Sequence, residues 1–283
     1  METPPPAARG TYAPEAEPEW AEDRAELLRR HDILLVRAEN PSPLTLNGTN
    51  SWVVGRGPAW VVDPGPLLEA HLSRLIAAVE ERGGLGGVVL THDHGDHAEA
   101  VPALLERFPA PLAARRADAS ITLRDGAPVG PFTALHTPGH APEHFALLAG
   151  GACFTGDAVL GSGSVFISPH PGAMSGYLRA LDRLRRREDL DVICPGHGPV
   201  VWDPRAKLDE YIAHRTDREN RLMSSLKGGR RTVDELLDDV WSDVPAGLRP
   251  AAAVTLAAHL DKLEEEHLLP QGVERPHLEG IEW

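Results

Sequence analysis

The segment Thr91-His92-Asp93-His94-Gly95-Asp96-His97 constrains this chain more than any other. Three imidazoles and two carboxylates fall within six residues, directly after Gly87–Leu90, a short apolar run that reads as a buried strand. Neither a packed core nor a solvated surface is built that way. Imidazole and carboxylate are the usual ligands of zinc and similar divalent ions, and loops at strand ends are where a rigid sheet displays chemistry. Three later loops repeat the arrangement: His140 in His136-Thr137-Pro138-Gly139-His140, Asp157 in Thr155-Gly156-Asp157, and His197 in Cys194-Pro195-Gly196-His197-Gly198. Each lies just beyond an expected strand, beside a glycine that lets the backbone turn sharply. One tetrahedral zinc takes four positions. The seven candidates His92, His94, Asp96, His97, His140, Asp157 and His197 therefore suggest two ions sharing a bridge. The expected cofactor is two divalent ions, zinc first, with manganese or iron as alternatives.

The rest of the chain supplies a scaffold for such loops. Ser51–Val54 and Ala59–Val62 read as a hairpin, and Leu67–Arg82 as a helix stopped by Gly83-Gly84. Ala98–Phe108 reads as a further helix with Pro102 in its first turn. Phe132–His136, Phe145–Leu148, Ala152–Phe154 and Asp191–Cys194 read as strands, with helices over Tyr177–Arg187 and Arg205–Leu226. Strands alternating with helices give an α/β fold. The character changes at Lys227-Gly228-Gly229. Thr232 opens a capped helix, Ala251–His267 forms another, and Leu268–Glu274 with Leu278–Trp283 could pair as a wing. The expected division is a flexible tail over 1–18, a main α/β domain carrying the metal motifs over 19–226 and a winged-helix-like domain over 227–283. Residues 228–283 hold five Lys and Arg against twelve Asp and Glu, a net charge of −7. A groove-reading helix needs positive charge to meet phosphates, so duplex DNA is not an expected partner.

The motifs resemble the metallo-β-lactamase fold superfamily: its HxHxDH signature is followed in order by its later His, Asp and His motifs. The resemblance implies a four-layered αβ/βα sandwich with metals at one edge. It implies His92, His94 and His140 on the first metal, Asp96, His97 and His197 on the second, Asp157 bridging, and Asp63 behind the site. Gly48-Thr49-Asn50-Ser51, the Glu143-His144-Phe145 segment and Tyr211-Ile212-Ala213-His214-Arg215 are similar to the beta-lactamase-like protein 2 family. That family includes a single-strand endoribonuclease, and fungal polyketide thioesterases are similar. Asp93 stands where an aromatic is common in that family. His144 and His214 are expected to support the site or contact substrate.

The implied activity is metal-dependent hydrolysis. A water shared by two ions is acidified toward neutrality and becomes the attacking hydroxide, with Asp96 and Asp157 as the catalytic carboxylates. The substrate is a phosphodiester in single-stranded RNA or a small-molecule thioester or ester. A glyoxalase-type or polyketide-type acyl thioesterase is one alternative, and a mononuclear iron sulfur dioxygenase is the alternative from another class. A net charge of −14 and only 5% aromatic residues weigh against RNA. A lactamase of this fold usually has Cys or Ser where Asp157 stands. No apolar run approaches the roughly 20 residues of a membrane span, so no membrane partner is expected. Cys153 and Cys194 are too few for a disulfide framework, and the opening lacks the pattern of a secretory signal. The expected location is the cytoplasm.

Overall fold

Alternation along short apolar strands builds four layers. The computed structural model describes residues 21–278, with side chains from residue 26 onward. The expected tail over 1–18 lies outside these residues. After helix α1 (Ala21–Arg30), strands β1 (Ile33–Arg37), β2 (Asn50–Val54) and β3 (Ala59–Val62) form an antiparallel meander. Strands β4 (Leu85–Val89), β5 (Leu112–Ala114) and β6 (Ile121–Thr122) extend it in parallel, giving a six-stranded sheet in sequence order. A second sheet has the order β11-β10-β9-β8-β7, from β7 (Pro128–Val129), β8 (Phe132–His136), β9 (Phe145–Ala149), β10 (Ala152–Gly156) and β11 (Val192–Pro195). Only β10 and β11 pair in parallel there.

The inner strands of each sheet, such as β2, β9 and β10, are buried on both faces and so read as nearly continuous apolar runs. Trp52, Val54, Val62 and Val89 of the first sheet meet Phe145, Phe154, Val192 and Cys194 of the second in the central core. The alternate residues Val53, Val61 and Val88 point the other way, onto α2 (Glu69–Glu81) and α4 (Val101–Arg107). On the far side Ala146, Leu148, Cys153 and Ile193 pack on α5 (Ala173–Arg185) and α6 (Pro204–Lys227). This is the αβ/βα sandwich. Cys153 and Cys194 are buried free thiols. No described helix is long and apolar enough to cross a membrane.

The helix expected over Ala98–Phe108 is α4, which starts later, at Val101, because Ala98 ends a separate short helix, α3 (Gly95–Ala98). Gly65 interrupts the ladder: its N–H donates to His97 O (2.9 Å), and its carbonyl accepts from Ala100 N (3.0 Å). Helix α3 thus carries the metal motif itself, held against the turn after β3.

The last unit also differs from expectation. α7 (Val233–Val240) begins with a capping box between Thr232 and Glu235, and α8 (Arg249–Glu265) follows. Leu236, Leu237, Leu256 and Leu260 share a core with Leu222 and Leu226 of α6. No wing forms over 268–278, while 279–283, in the second expected strand, lie outside the described residues. Pro270 and Pro276 lack the N–H that a ladder needs. The segment caps α7 instead: Glu274 N donates to Arg231 O (2.8 Å), and a Glu274 carboxylate oxygen accepts from Val233 N (2.9 Å).

Candidate metal centre

Five strand ends deliver the candidate ligands to one edge of the sandwich. Asp63 follows β3, the His92–His97 loop follows β4, His140 follows β8, Asp157 follows β10 and His197 follows β11. All seven residues expected as ligands come together. His92, His94 and His140 form one group whose ligand atoms lie within 4.8 Å of one another, and Asp96, His97 and His197 form a second. Asp157 touches both. Its Oδ2 lies 3.7 Å from His140 Nε2 and 3.4 Å from His197 Nε2, and its Oδ1 lies 3.4 Å from His97 Nε2.

The tautomers follow from what each other ring nitrogen touches. His97 Nδ1 donates to Asp63 Oδ2 (3.0 Å), His140 Nδ1 to Phe166 O (3.3 Å) and His197 Nδ1 to Gly48 O (3.3 Å). Carboxylate and carbonyl oxygens only accept, so each Nε2 keeps its lone pair for the centre. His140 Nε2 faces His94 Nδ1 at 3.0 Å, and His97 Nε2 faces His197 Nε2 at 3.3 Å. Ligands about 2.0–2.1 Å from a tetrahedral zinc stand about 3.3 Å apart, which matches these separations. His92 Nε2 and Asp157 Oδ1 are buried with no hydrogen-bond partner. Such orphaned acceptors, aimed at a common space, fit a divalent cation.

The electrostatics agree. Burial pushes His140 down to about 4, and burial, then His97, His140 and His144, pushes His92 well below the usual imidazole range. Burial also opposes charge on His97 and His197, but Asp96 and Asp157 outweigh it on His97, and Asp157 and Asp96 hold His197 at about 9. Burial raises the carboxyls of Asp96 and Asp157, yet His97 and His197 prevail, leaving Asp96 at about 2 and Asp157 well below the usual range. Two anionic carboxylates thus demand cations beside them, and a metal can take the place of the protons on His97 and His197.

The surrounding residues hold this geometry. Asp63 Oδ1 accepts from Thr91 N (2.8 Å) and Oδ2 from Thr91 Oγ1 (2.7 Å) as well as from His97. Its oxygens are therefore committed, which places Asp63 behind the ligands, although it also groups with His92 and His97. His144 is not aimed at the centre: its Nδ1 meets Thr137 Oγ1 (2.8 Å), and its Nε2 accepts from the Asp157 backbone N (3.2 Å). Gly196 lets the β11 loop approach, because a Cβ there would fall inside contact distance of Asp157 Oδ1 and 2.8 Å from His97 Cε1. Asp93 is exposed and paired to Arg116 (2.6 Å), away from the ligand groups. Two supports have no role assigned from sequence alone. Thr49 Oγ1 donates to Asp96 Oδ2 (3.2 Å), and Asn50 Nδ2 donates to Pro195 O and Gly198 O (3.0 and 2.9 Å), pinning the His197 loop.

The centre opens into a cavity of about 690 Å³. His94, Asp96, His140, Asp157 and His197 form one end. The lining also includes residues of α6 and of the C-terminal unit, among them His214, Arg215, Arg218 and Trp241. His214 thus shares the cavity with the ligands but stands in neither ligand group.

A sequence profile of the metallo-beta-lactamase superfamily matches residues 44–129 and 122–197, and one of the beta-lactamase associated winged helix domain matches 232–271. The chain therefore belongs to the metallo-beta-lactamase superfamily and carries the winged helix domain associated with it. It is 31% identical over 274 residues to the Beta-lactamase-like protein 2 homolog of Caenorhabditis elegans, covering 89% of each chain. The Atrochrysone carboxyl ACP thioesterase of Aspergillus chevalieri is 32% identical over 238 residues, covering 75% of this chain and 74% of its own. Among solved structures, a beta-lactamase domain protein from Burkholderia ambifaria has a TM-score of 0.70 at 20% identity, over 86% of this chain and 90% of its own. A metallo-beta-lactamase family protein from Thermus thermophilus has a TM-score of 0.68 at 24% identity, over 83% and 94%. These two share the fold.

Proposed function

We propose that this chain is a dinuclear metal-dependent hydrolase of small acyl thioesters or esters, with zinc as its metal and the cytoplasm as its location. The observation that carries the reading is the placement of both ligand groups at one end of a single cavity whose remaining lining includes Leu44, Leu46, Leu160, Val165, Phe166 and Trp241. Its volume of about 690 Å³ suits a small molecule. A groove that tracks single-stranded RNA is strongly cationic, whereas this cavity sets the carboxylates of Asp96, Glu99, Asp157, Glu210 and Asp243 against the guanidiniums of Arg215 and Arg218. The similarity to a thioesterase supports the acyl reading.

His92, His94 and His140 would hold one ion and Asp96, His97 and His197 the other, with Asp157 shared. Ions bound there supply Lewis acidity for the substrate oxygen and an acidified water. The protein's own residues do the rest. Asp96, partly exposed to the cavity, is placed to take the proton of the attacking water. Asp63 keeps Thr91 and His97 in register, and His144 holds the Asp157 backbone. The apolar walls exclude bulk water from the acyl group.

The test is metal analysis of the purified protein followed by a substrate panel: acyl thioesters, S-lactoylglutathione, bis-p-nitrophenyl phosphate, single-stranded RNA and a cephalosporin. The expected result is about two zinc ions per chain and fastest turnover of a thioester. Cleavage of RNA without thioester turnover overturns the substrate class. A single redox iron with no hydrolysis points to the dioxygenase class.

A further inference from the structure

The lining of the cavity beyond the ligand groups contains a charge without a counter-charge. Arg215, on α6, is only 2% exposed. Its Nη2 donates to the Val165 carbonyl, and its guanidinium carbon lies 5.6 Å from the Tyr177 ring centroid. Its Nε is buried with no hydrogen-bond partner. Among the described residues no carboxylate forms an ion pair with it. The carboxylates lining the same cavity are committed elsewhere. Asp243 pairs with Arg218 (2.6 Å), Glu210 with Lys207 (2.9 Å), Glu99 accepts from Leu67 N (3.3 Å), and Asp96 and Asp157 face the histidines. Beside Arg215, His214 Nδ1 is also buried without a partner. Burying an unpaired guanidinium is costly, and proteins usually match it with an anion.

We propose that the cavity selects substrates carrying a second, anionic group, a carboxylate or a phosphate, matched by Arg215 with His214 while the scissile carbonyl lies at the two ligand groups. This rests on the hydrolase reading above and names its substrate class. Arg218 is unsuited to the role because Asp243 and the Val240 carbonyl already occupy its guanidinium. The neighbours of the Arg215 guanidinium, the Val165 carbonyl and the Tyr177 side chain, carry no negative charge, so its charge remains available to the bound molecule. Its planar fork suits either oxyanion. A purely structural role, holding the Val165 segment, would affect charged and neutral substrates alike, whereas recognition changes their ratio.

The test uses the full-length, zinc-loaded protein and matched substrate pairs. One pair is S-glutaryl against S-hexanoyl N-acetylcysteamine, which varies charge on the acyl side. The other is S-hexanoyl phosphopantetheine against S-hexanoyl pantetheine, which varies it on the thiol side. The wild-type protein is expected to favour the anionic member of one pair by about tenfold or more in kcat/KM, equivalent to ~1.4 kcal/mol. The pair that responds identifies carboxylate or phosphate. Arg215→Gln should bring that preference to within about threefold of unity, while Arg215→Lys should retain part of it. Should Arg215→Gln fail to fold, His214→Asp, which gives Arg215 a counter-charge, should erase the preference instead. No preference in either wild-type pair, or a preference unchanged by these variants, overturns the proposal. If no thioester is hydrolysed, the acyl-hydrolase reading falls, and calorimetry with glutarate and inorganic phosphate decides this one. Binding weakened about tenfold by Arg215→Gln or His214→Asp supports it, and no binding of either anion to wild type overturns it.

Discussion

Asp63→Asn removes one charge and one acceptor from behind the candidate metal centre and leaves the backbone undisturbed. Asp63 has a φ of 50°, a left-handed conformation that Asn tolerates better than most residues. The native carboxylate accepts three hydrogen bonds, from Thr91 N, Thr91 Oγ1 and His97 Nδ1. A carboxamide has one oxygen, so either orientation turns its NH2 toward a native donor. If the oxygen stays beside His97, the buried Thr91 N–H loses its acceptor. If it turns to Thr91, His97 loses the contact that fixes its tautomer. One unpaired buried donor costs about 1–3 kcal/mol, so a loss of about 2 kcal/mol is expected in urea unfolding of the metal-free protein. Removing the partner of a metal-ligating imidazole typically weakens binding about 10–100-fold. That loss should fall on the Asp96, His97 and His197 group, with little change at His92, His94 and His140. Competition with a chromogenic zinc chelator resolves the two sites. Affinity within about twofold of wild type at both sites, with an unchanged urea midpoint, would refute the assigned role of Asp63.

Asp157→Ala should abolish hydrolysis and bring zinc below two ions per chain without altering far-UV circular dichroism; activity within a few-fold of wild type would remove Asp157 from the shared position. Gly196→Ala should lose zinc in the same titration, because its Cβ intrudes on Asp157 and His97; full zinc binding in a folded variant would show that the loop yields freely. The Arg218 hydrogen bond holds the Asp243 carboxyl at about 2, below its ordinary 3.8, so this pair contributes stability above about pH 4 that is lost as pH falls toward 2. Asp243 is 60% exposed at its side chain, so screening keeps the contribution under about 1 kcal/mol. Asp243→Asn should remove that part of the acid-induced stability loss, and identical acid profiles would contradict it. The full chain should not retard duplex DNA at moderate salt, given the net −7 over 228–283; a salt-sensitive shift would reverse that expectation.

The ligand set is legible in the sequence because each motif is local. His92, His94, Asp96 and His97 sit within one loop, and Gly139, Gly156 and Gly196 mark three further turns after apolar runs. Burial on both faces makes the inner strands visible, while β5, β6 and β7, only two or three residues long, have too little pattern to announce themselves. The broken helix at Ala98–Val101 is hidden because its cause, Gly65, lies over thirty residues upstream. The expected wing rests on the apolar residues Leu268, Leu269 and Val273, although Pro270 and Pro276 argue against a ladder there.

The cavity's cationic wall is less legible, yet its signal is present in α6. Leu208, Tyr211, Leu222 and Leu226 mark the buried face of that helix, and the three-and-four spacing between Tyr211 and Leu222 is completed by Arg215 and Arg218. Two arginines on the inner face of an otherwise amphipathic helix are a physical contradiction unless something inside meets them. For Arg218 the structure supplies the answer within the chain, through Asp243 and the Val240 carbonyl. For Arg215 it supplies a carbonyl, the Tyr177 side chain and an orphaned Nε, but no carboxylate. The periodicity shows that the charge is buried, but only the convergence of α6 with the winged helix unit and the ligand loops shows where it is buried. A helix built to pack has no reason to bury a guanidinium there. A helix built to close a substrate cavity does, because the missing counter-charge can arrive with the substrate.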